Sequence, residues 1–269
     1  MGSYNNQVKP KKFLGQHFLK DESIAEKIVL SLIKPSIIEI GLKTDVLEIG
    51  PGMGVLTKYL LKDDAFRLSA VEIDYDSIHF LEANFPQLKD RILQADFLQM
   101  DLKSRFEKPF MIIGNFPYNI SSQIMFKVID NRDQVTQVVG MFQKEVAERI
   151  ASRPGKKSYG ILSVLLQAYY DVELLFIVDE HVFSPPPKVK SAVIRCVRKT
   201  AQELNCDEIL FKRIVKDAFG QRRKMLRNGL SGFLRHQHTS DIPFLDMRAE
   251  TLSWQDFETL TNAISGIQK

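Results

Sequence analysis

The sequence predicts an α/β fold, a mostly parallel sheet covered by helices on both faces, followed by a small all-helical unit. Three observations carry this expectation. Up to about residue 200, short apolar runs alternate with amphipathic stretches, the pattern of strands joined by helical crossovers. A glycine-rich turn follows the first of these runs, at Gly50, Gly52 and Gly54, where a strand end can open onto a ligand. Beyond residue 200 the strand signals stop and only helical periodicity remains.

The elements follow in order. After a basic lead-in, residues 21–33 carry Ile24, Ile28 and Leu32 at four-residue spacing, a helix stopped by Pro35. Strands are expected at 45–49, 67–73, 91–94, 110–114 and 137–142, with helices at 55–62, 76–85 and 121–131 between most of them. A helix over 159–170 precedes two strands at 172–178 and 191–197, joined by the turn-rich Ser184-Pro-Pro-Pro-Lys188. Those two form a terminal antiparallel pair. Helices at 211–219, 222–228 and 254–264 make up the tail. A boundary near 200 therefore divides the chain into a sheet-containing domain, 1–200, and a small helical domain, 201–269.

With 269 residues, 44% hydrophobic and 26% charged, the chain can bury a sizeable core and is neither disordered nor of low complexity. Cys196 and Cys206 cannot form a disulfide framework, and no apolar run is long enough to span a bilayer. The start, MGSYNNQVKPKKF, offers no signal-peptide core. A soluble cytoplasmic monomer is expected, with no membrane partner. His79, His181, His236 and His238 lack metal-ligand spacing with the cysteines, so no metal is expected, and Trp254 reads as core.

Charge is lopsided. Residues 1–20, 181–202 and 218–240 hold fourteen of the 37 bases and none of the 33 acids, so the rest carries a net charge of −10. Separate basic patches on an acidic body are the mark of a polyanion binder, since each neutralised phosphate releases counterions.

Val46-Leu-Glu-Ile-Gly50-Pro-Gly52-Met-Gly54 reads as strand, turn and helix start. A dinucleotide site is the obvious rival, but the spacing is GxGxG, and Glu48 would repel a pyrophosphate. The next strand ends at Glu72, placed for a ribose diol, and the one after leads to Asp96 and Phe97, suited to an adenine amino group and ring. S-adenosylmethionine, a cationic adenosine without phosphates, fits such an acidic, glycine-lined cleft.

The fourth strand ends in Asn115-Phe-Pro-Tyr-Asn119. A ring-conjugated amine is a poor nucleophile because its lone pair is delocalised. The Asn115 side-chain carbonyl and the Pro117 backbone carbonyl can accept its protons and hold its nitrogen toward a methyl donor. Tyr118 offers a face for a flipped base. Asn115, Pro117 and Tyr118 are thus the candidate catalytic group.

Several segments together resemble the KsgA family of small-subunit rRNA adenine dimethyltransferases. They are Lys12-Phe-Leu-Gly-Gln-His-Phe-Leu19, Glu48-Ile-Gly-Pro-Gly52, Val71-Glu-Ile-Asp74, Ala95-Asp96, Asn115-Phe-Pro-Tyr-Asn-Ile-Ser121, Phe183-Ser-Pro-Pro-Pro-Lys-Val-Lys-Ser191 and Phe219-Gly-Gln-Arg-Arg-Lys-Met-Leu-Arg-Asn228. The resemblance implies a seven-stranded, Rossmann-like class I methyltransferase domain with a small helical domain after it. It implies that Gly50, Glu72, Asp96 and Asn115 contact the cofactor together with His17 and Leu19, although the family usually has Asn where this chain has His17. It also implies dimethylation of two adjacent adenosines near the 3′ end of small-subunit rRNA, on a partly assembled subunit.

The RNA face is expected in the basic segments: Arg222, Arg223, Lys224 and Arg227 on a tail helix, and Lys188 and Lys190 beside the cleft, with Phe183 as a second wall of the base pocket. Two other readings compete. One is a large-subunit rRNA methyltransferase of the macrolide-resistance type. The other is a non-catalytic RNA-binding assembly factor, whose sign would be a damaged Asn115–Tyr118 segment or glycine turn.

Overall fold

The computed structural model describes residues 8–34, 43–199, 204–234 and 240–267. Pro35, Arg235, His236 and His238 lie outside them. The chain divides into two units. The first comprises Met1–Ala147 with Glu173–Arg198, and the second Glu148–Val172 with Lys199–Lys269.

The sheet has seven strands: β1 (Thr44–Ile49), β2 (Phe66–Glu72), β3 (Ile92–Gln94), β4 (Phe110–Asn115), β5 (Val135–Gln143), β6 (Tyr170–Val178) and β7 (Ser191–Arg198). Their spatial order is β3-β2-β1-β4-β5-β7-β6. The pairs β1–β2, β1–β4, β2–β3 and β4–β5 are parallel, whereas β5–β7 is antiparallel. Val46, Leu47, Ile112, Ile113, Val138 and Val139 are wholly buried, as expected of central parallel strands covered on both faces. This is why the strands read as short, mostly apolar runs.

Between strands the chain forms α1 (Glu22–Leu30), α2 (Thr57–Leu60), α3 (Tyr75–Asn84), α4 (Leu102–Arg105) and α5 (Ser121–Asp130), then α6 (Lys144–Ile150). Asp21 caps α1 by accepting the Ile24 N–H. The expected helix at 55–62 shrinks to one turn, and the short α4 and α6 were not anticipated. Strand order reverses beside β1, between β2 and β4, so the carboxyl ends of β1, β2, β3 and β4 face one crevice.

The second unit is helical: α7 (Ile161–Tyr169), α8 (Glu208–Gly220), α9 (Leu226–Gly229) and α10 (Trp254–Ile267). On α8, Leu210, Phe211, Ile214, Val215 and Ala218 are buried; on α10, Phe257, Leu260, Thr261 and Ile264. That spacing gives each helix one apolar stripe. The buried α7 packs against both, which corrects the sequence-drawn boundary at 200: residues 148–172 belong with the tail helices. Trp254 is only half-buried, with the Lys199 ammonium over its ring at 4.4 Å from the centroid.

The basic helix expected over 222–228 also needs correcting. Residues 222–225 form a turn and α9 starts only at Leu226. Arg222 is drawn inward, bonding Glu250 at 2.8 Å and the Lys157 carbonyl at 2.5 Å, so it serves the fold of its own unit. Arg227 pairs with Asp246. Arg223 and Lys224 are the cations of this turn that carry no ion pair among the described residues.

Candidate active site

At the end of β1 the chain turns on Gly50 (φ 65°) and Gly52 (φ 56°), with the Gly50 N–H bonded to the Val71 carbonyl at 2.9 Å. Gly52 is required twice over. Its left-handed backbone disfavours a side chain, and a Cβ there would lie 2.8 Å from the Phe18 ring. Its N–H also donates to Glu72 Oε2 at 3.2 Å. Gly52→Ala is therefore expected to weaken cofactor binding at least tenfold by calorimetry, and to cost about 1–3 kcal/mol of stability. An unchanged affinity would remove the turn from the site.

Glu72 closes β2 at the same crevice. Its carboxylate accepts the N–H groups of Ile73 and Asp74, each at 2.9 Å, besides that of Gly52. Burial pushes this carboxyl up, and those three N–H groups oppose the shift. A carboxylate has about four acceptor positions, so one remains for a ligand hydroxyl. Asp96, past the end of β3, accepts the Leu98 N–H at 2.9 Å and stands beside Phe97.

Glu48 is different from what the sequence suggested. It is 1% exposed, its Oε2 accepts the Thr57 hydroxyl at 2.6 Å, and burial pushes its carboxyl up to about 8. A group so protonated near neutral pH does not repel a pyrophosphate by charge. The acidity of the crevice comes from Glu72 and Asp96.

A strap from Leu14 to Phe18 forms another wall of the cleft. Asp74 anchors it by accepting from Lys11, from Gln16 Nε2 at 3.3 Å and from Ser77 at 2.9 Å. Asn115 Nδ2 donates to the His17 carbonyl at 2.9 Å, which settles the amide orientation and leaves Oδ1 with no donor among the described residues. His17 Nδ1 lies 2.7 Å from the Pro185 carbonyl. A carbonyl only accepts, so the proton sits on Nδ1. The His17 ring stacks on Tyr118 at 5.3 Å, and the Tyr118 hydroxyl shares a 2.5 Å hydrogen bond with Ser191. The Pro117 carbonyl accepts the Ile120 N–H at 3.2 Å, and its second lone pair is still available.

Why the Asn115 turn holds its shape is legible in Phe116. A Cβ on Gly114 or Gly140 would come within 2.7 Å or 2.2 Å of the Phe116 ring, which also meets Phe142 edge-on. The aromatic between Asn115 and Pro117 is a buried peg seated over two glycines.

The structure thus brings His17, Gly50, Gly52, Glu72, Asp96, Asn115, Pro117 and Tyr118 to one cleft. It does not bring Leu19 or Phe183 there. These two pair as short antiparallel strands, Phe18–Leu19 with Phe183–Ser184, and both side chains enter the hydrophobic core, Phe183 at 1% exposure. Phe183 is therefore not a wall of a base pocket, and Leu19 offers the cleft no side chain. Lys188 is exposed and Lys190 is paired with Asp179 at 2.6 Å. Gln16, Phe18 and Asn119 also line the cleft. Their signal was present in the flanking motifs, but nothing local distinguishes a lining side chain from a core one.

The profile of one family, Ribosomal RNA adenine dimethylase, matches residues 7–265. The chain belongs to the ribosomal RNA adenine dimethylase family. It is 55% identical over 260 residues to Ribosomal RNA small subunit methyltransferase A of Cytophaga hutchinsonii, covering 97% of this chain and 99% of that one. The protein of the same name from Flavobacterium johnsoniae is 54% identical over 266 residues, again covering 97% and 99%. Among solved structures, a dimethyladenosine transferase from Plasmodium falciparum superposes with a TM-score of 0.72 at 24% identity, covering 93% of this chain and 99% of that one. The 23S rRNA methyltransferase ErmE gives 0.70 at 22%, covering 92% and 99%. At such identities the two structures establish the fold alone, that of the class I methyltransferases. S-adenosylmethionine is the methyl donor of this dimethylase family. A glycine turn in which a Cβ on Gly52 would strike the Phe18 ring, with Glu72 closing β2 and Asp96 just past β3, fits that donor.

Proposed function

We propose that this chain dimethylates N6 of two adjacent adenosines in the 3′-terminal hairpin loop of small-subunit rRNA, acting as a cytoplasmic monomer on an immature subunit. The observation that carries this reading is the Asn115 amide, whose nitrogen is committed to the strap while its oxygen stays available beside the Pro117 carbonyl. The small-subunit substrate is supported by the names of relatives at 51–55% identity over nearly the whole chain. The intact glycine turn and Asn115–Tyr118 segment speak against a non-catalytic assembly factor.

When bound, S-adenosylmethionine supplies an electrophilic methyl on a sulfonium. Glu72 would hold a ribose hydroxyl and Asp96 the adenine amino group, with Gly50 and Gly52 admitting the ligand close to the backbone and the His17 region of the strap covering it. Asn115 Oδ1 and the Pro117 carbonyl accept the two N–H groups of the target amine and aim its lone pair. After the first transfer one N–H remains, and either acceptor can hold it for the second. The proton released at each round passes to solvent, and no strong base is required. Tyr118 stacks on the flipped base, its own orientation fixed by His17 and Ser191. Positioning of this kind is worth about 7–11 kcal/mol in favourable cases.

Arg223 and Lys224 are the RNA-facing cations we assign to the helical unit, and Lys188 and Lys190 those of the sheet unit. The double variant Arg223→Glu, Lys224→Glu is expected to weaken binding to small subunits at least tenfold, with a shallower salt dependence, and to leave cofactor affinity intact. Equal RNA affinity in a filter-binding titration would take that turn out of the RNA site. The function itself is tested by mass spectrometry of the rRNA 3′ end in cells with and without the protein, and by supplying methyl-labelled donor to purified subunits. Dimethyladenosine at two adjacent positions of small-subunit rRNA is expected. Label in the large subunit alone would refute the reading.

A further inference from the structure

Phe13 is 77% exposed, the highest value among the exposed large apolar side chains of the described residues. A lone exposed aromatic is ordinary on a protein surface. This one is set apart by how firmly its backbone is held and by where. The turn Lys12–Leu14 is closed by Leu14 N–H to Lys11 O at 3.1 Å and Gly15 N–H to Lys12 O at 3.0 Å. Asn119 Nδ2, on the loop that carries Asn115, donates to the Phe13 carbonyl at 3.4 Å. Gly15, at φ 66°, sits so close to Asn119 that a Cβ would lie 2.8 Å from its Oδ1. On the other side Lys11 is paired with Asp74 and Asp76, and its N–H donates to Gln16 Oε1 at 2.8 Å. The Phe13 backbone is thereby held beside the cleft, next in the chain to Leu14 and Gly15 of its lining, with the exposed Lys9 and Lys12 nearby in the chain.

An exposed aromatic on a firmly held backbone, flanked by cations, is a combination that binds single-stranded nucleic acid, the ring stacking on a base and the cations meeting its backbone. The chemistry of the reaction calls for such a face. An adenine turned out of its stack leaves the neighbouring base uncovered on one side, and with two adjacent targets that neighbour is itself a purine. We propose that Phe13 is a stacking platform for the nucleobase next to the adenine held in the cleft, with Lys12 on the intervening phosphate. This subsite rests on the reading of the Asn115 cleft as the adenine pocket, and it makes Phe13 a determinant of RNA recognition apart from cofactor binding and methyl transfer.

The test compares Phe13→Ala, Phe13→Leu and Phe13→Trp in the full chain, on undermethylated small subunits. Loss of one base–aromatic stack is expected to raise KM for the subunit about tenfold in the Ala variant. In the same variant kcat should stay within twofold and cofactor Kd should not move. Leu, apolar but not aromatic, should behave like Ala, and Trp should restore the parental KM. In a hairpin RNA carrying 2-aminopurine beside the target adenine, binding of the parent should quench the fluorescence more than binding of the Ala variant does. Parental KM and quenching in the Ala and Leu variants would overturn the platform. So would a fall in kcat that tracks a loss of cofactor affinity, which would mean that the strap had merely been disturbed. If the parent itself methylates no small subunit, the adenine-pocket reading fails first; an active parent with an indifferent Phe13 overturns the platform alone.

Discussion

Replacing Asn115 by alanine is expected to lower the rate of methyl transfer by about 10²–10³-fold, the effect of removing a preorganised polar group from a transition state. The alanine variant loses an acceptor for the target amine, and it also releases the His17 carbonyl to which Nδ2 is bonded. Single-turnover measurements on enzyme saturated with cofactor separate the two losses. The rate should remain low at saturation, whereas cofactor affinity should fall less than tenfold. Asn115→Asp should not rescue the rate, because its carboxylate would face the His17 carbonyl oxygen without a proton to share. A parental rate in the alanine variant would refute the assignment of Asn115.

The second large effect concerns stability. Burial pushes the Glu48 carboxyl up to about 8, with the Thr57 hydroxyl pulling the other way and the charge of Glu72 adding to the rise. In the unfolded chain the same group titrates near 4.5. Between those values the folded protein holds a proton that the unfolded chain has lost. The contribution is therefore fully present below about pH 4.5 and declines as pH rises toward 8, amounting to a few kcal/mol in all. Glu48→Gln keeps an oxygen for the Thr57 hydroxyl and has no proton to lose. Urea unfolding from pH 6 to 9 should show the parent losing stability with pH more steeply than the variant, by up to about 1.4 kcal/mol per unit. Identical slopes would mean that Glu48 is charged in the fold.

Much of this architecture was legible in the sequence because the physics behind it is local. A strand buried on both faces has to be mainly apolar, so β1, β4 and β5 read as short apolar runs. A turn requiring positive φ calls for glycine, and a strand end opening onto a cation-binding crevice carries an acid. Gly50, Gly52, Glu72 and Asp96 each stand within three residues of a strand end, which is why their neighbourhood could be foreseen. The Asn115–Tyr118 segment was visible for the same reason.

What misled sequence reasoning was long-range. Phe183 and Leu19 share motifs with cleft residues, yet their two-residue pairing turns both side chains into the core. Arg222 reads as one of a run of cations, but Glu250 and the Lys157 carbonyl take it up from distant parts of the chain. Residues 148–172 run into the start of β6 and still belong with the tail helices. Glu48 reads as a charge and is a buried, proton-bearing carboxyl.

By itself, then, the sequence determined the fold class, the succession of strands and helices, and the placing of the glycine turn and the Asn115 turn at strand ends, all of which depend on local periodicity and backbone conformation. Only the tertiary structure decided which side chains of those motifs face the cleft, which carboxyl burial pushes up and which arginine of the basic turn carries no ion pair among the described residues. Those depend on burial and on partners far along the chain, His17 and Pro185 being 168 apart, and free energies of desolvation and pairing are set by neighbours in space rather than in sequence.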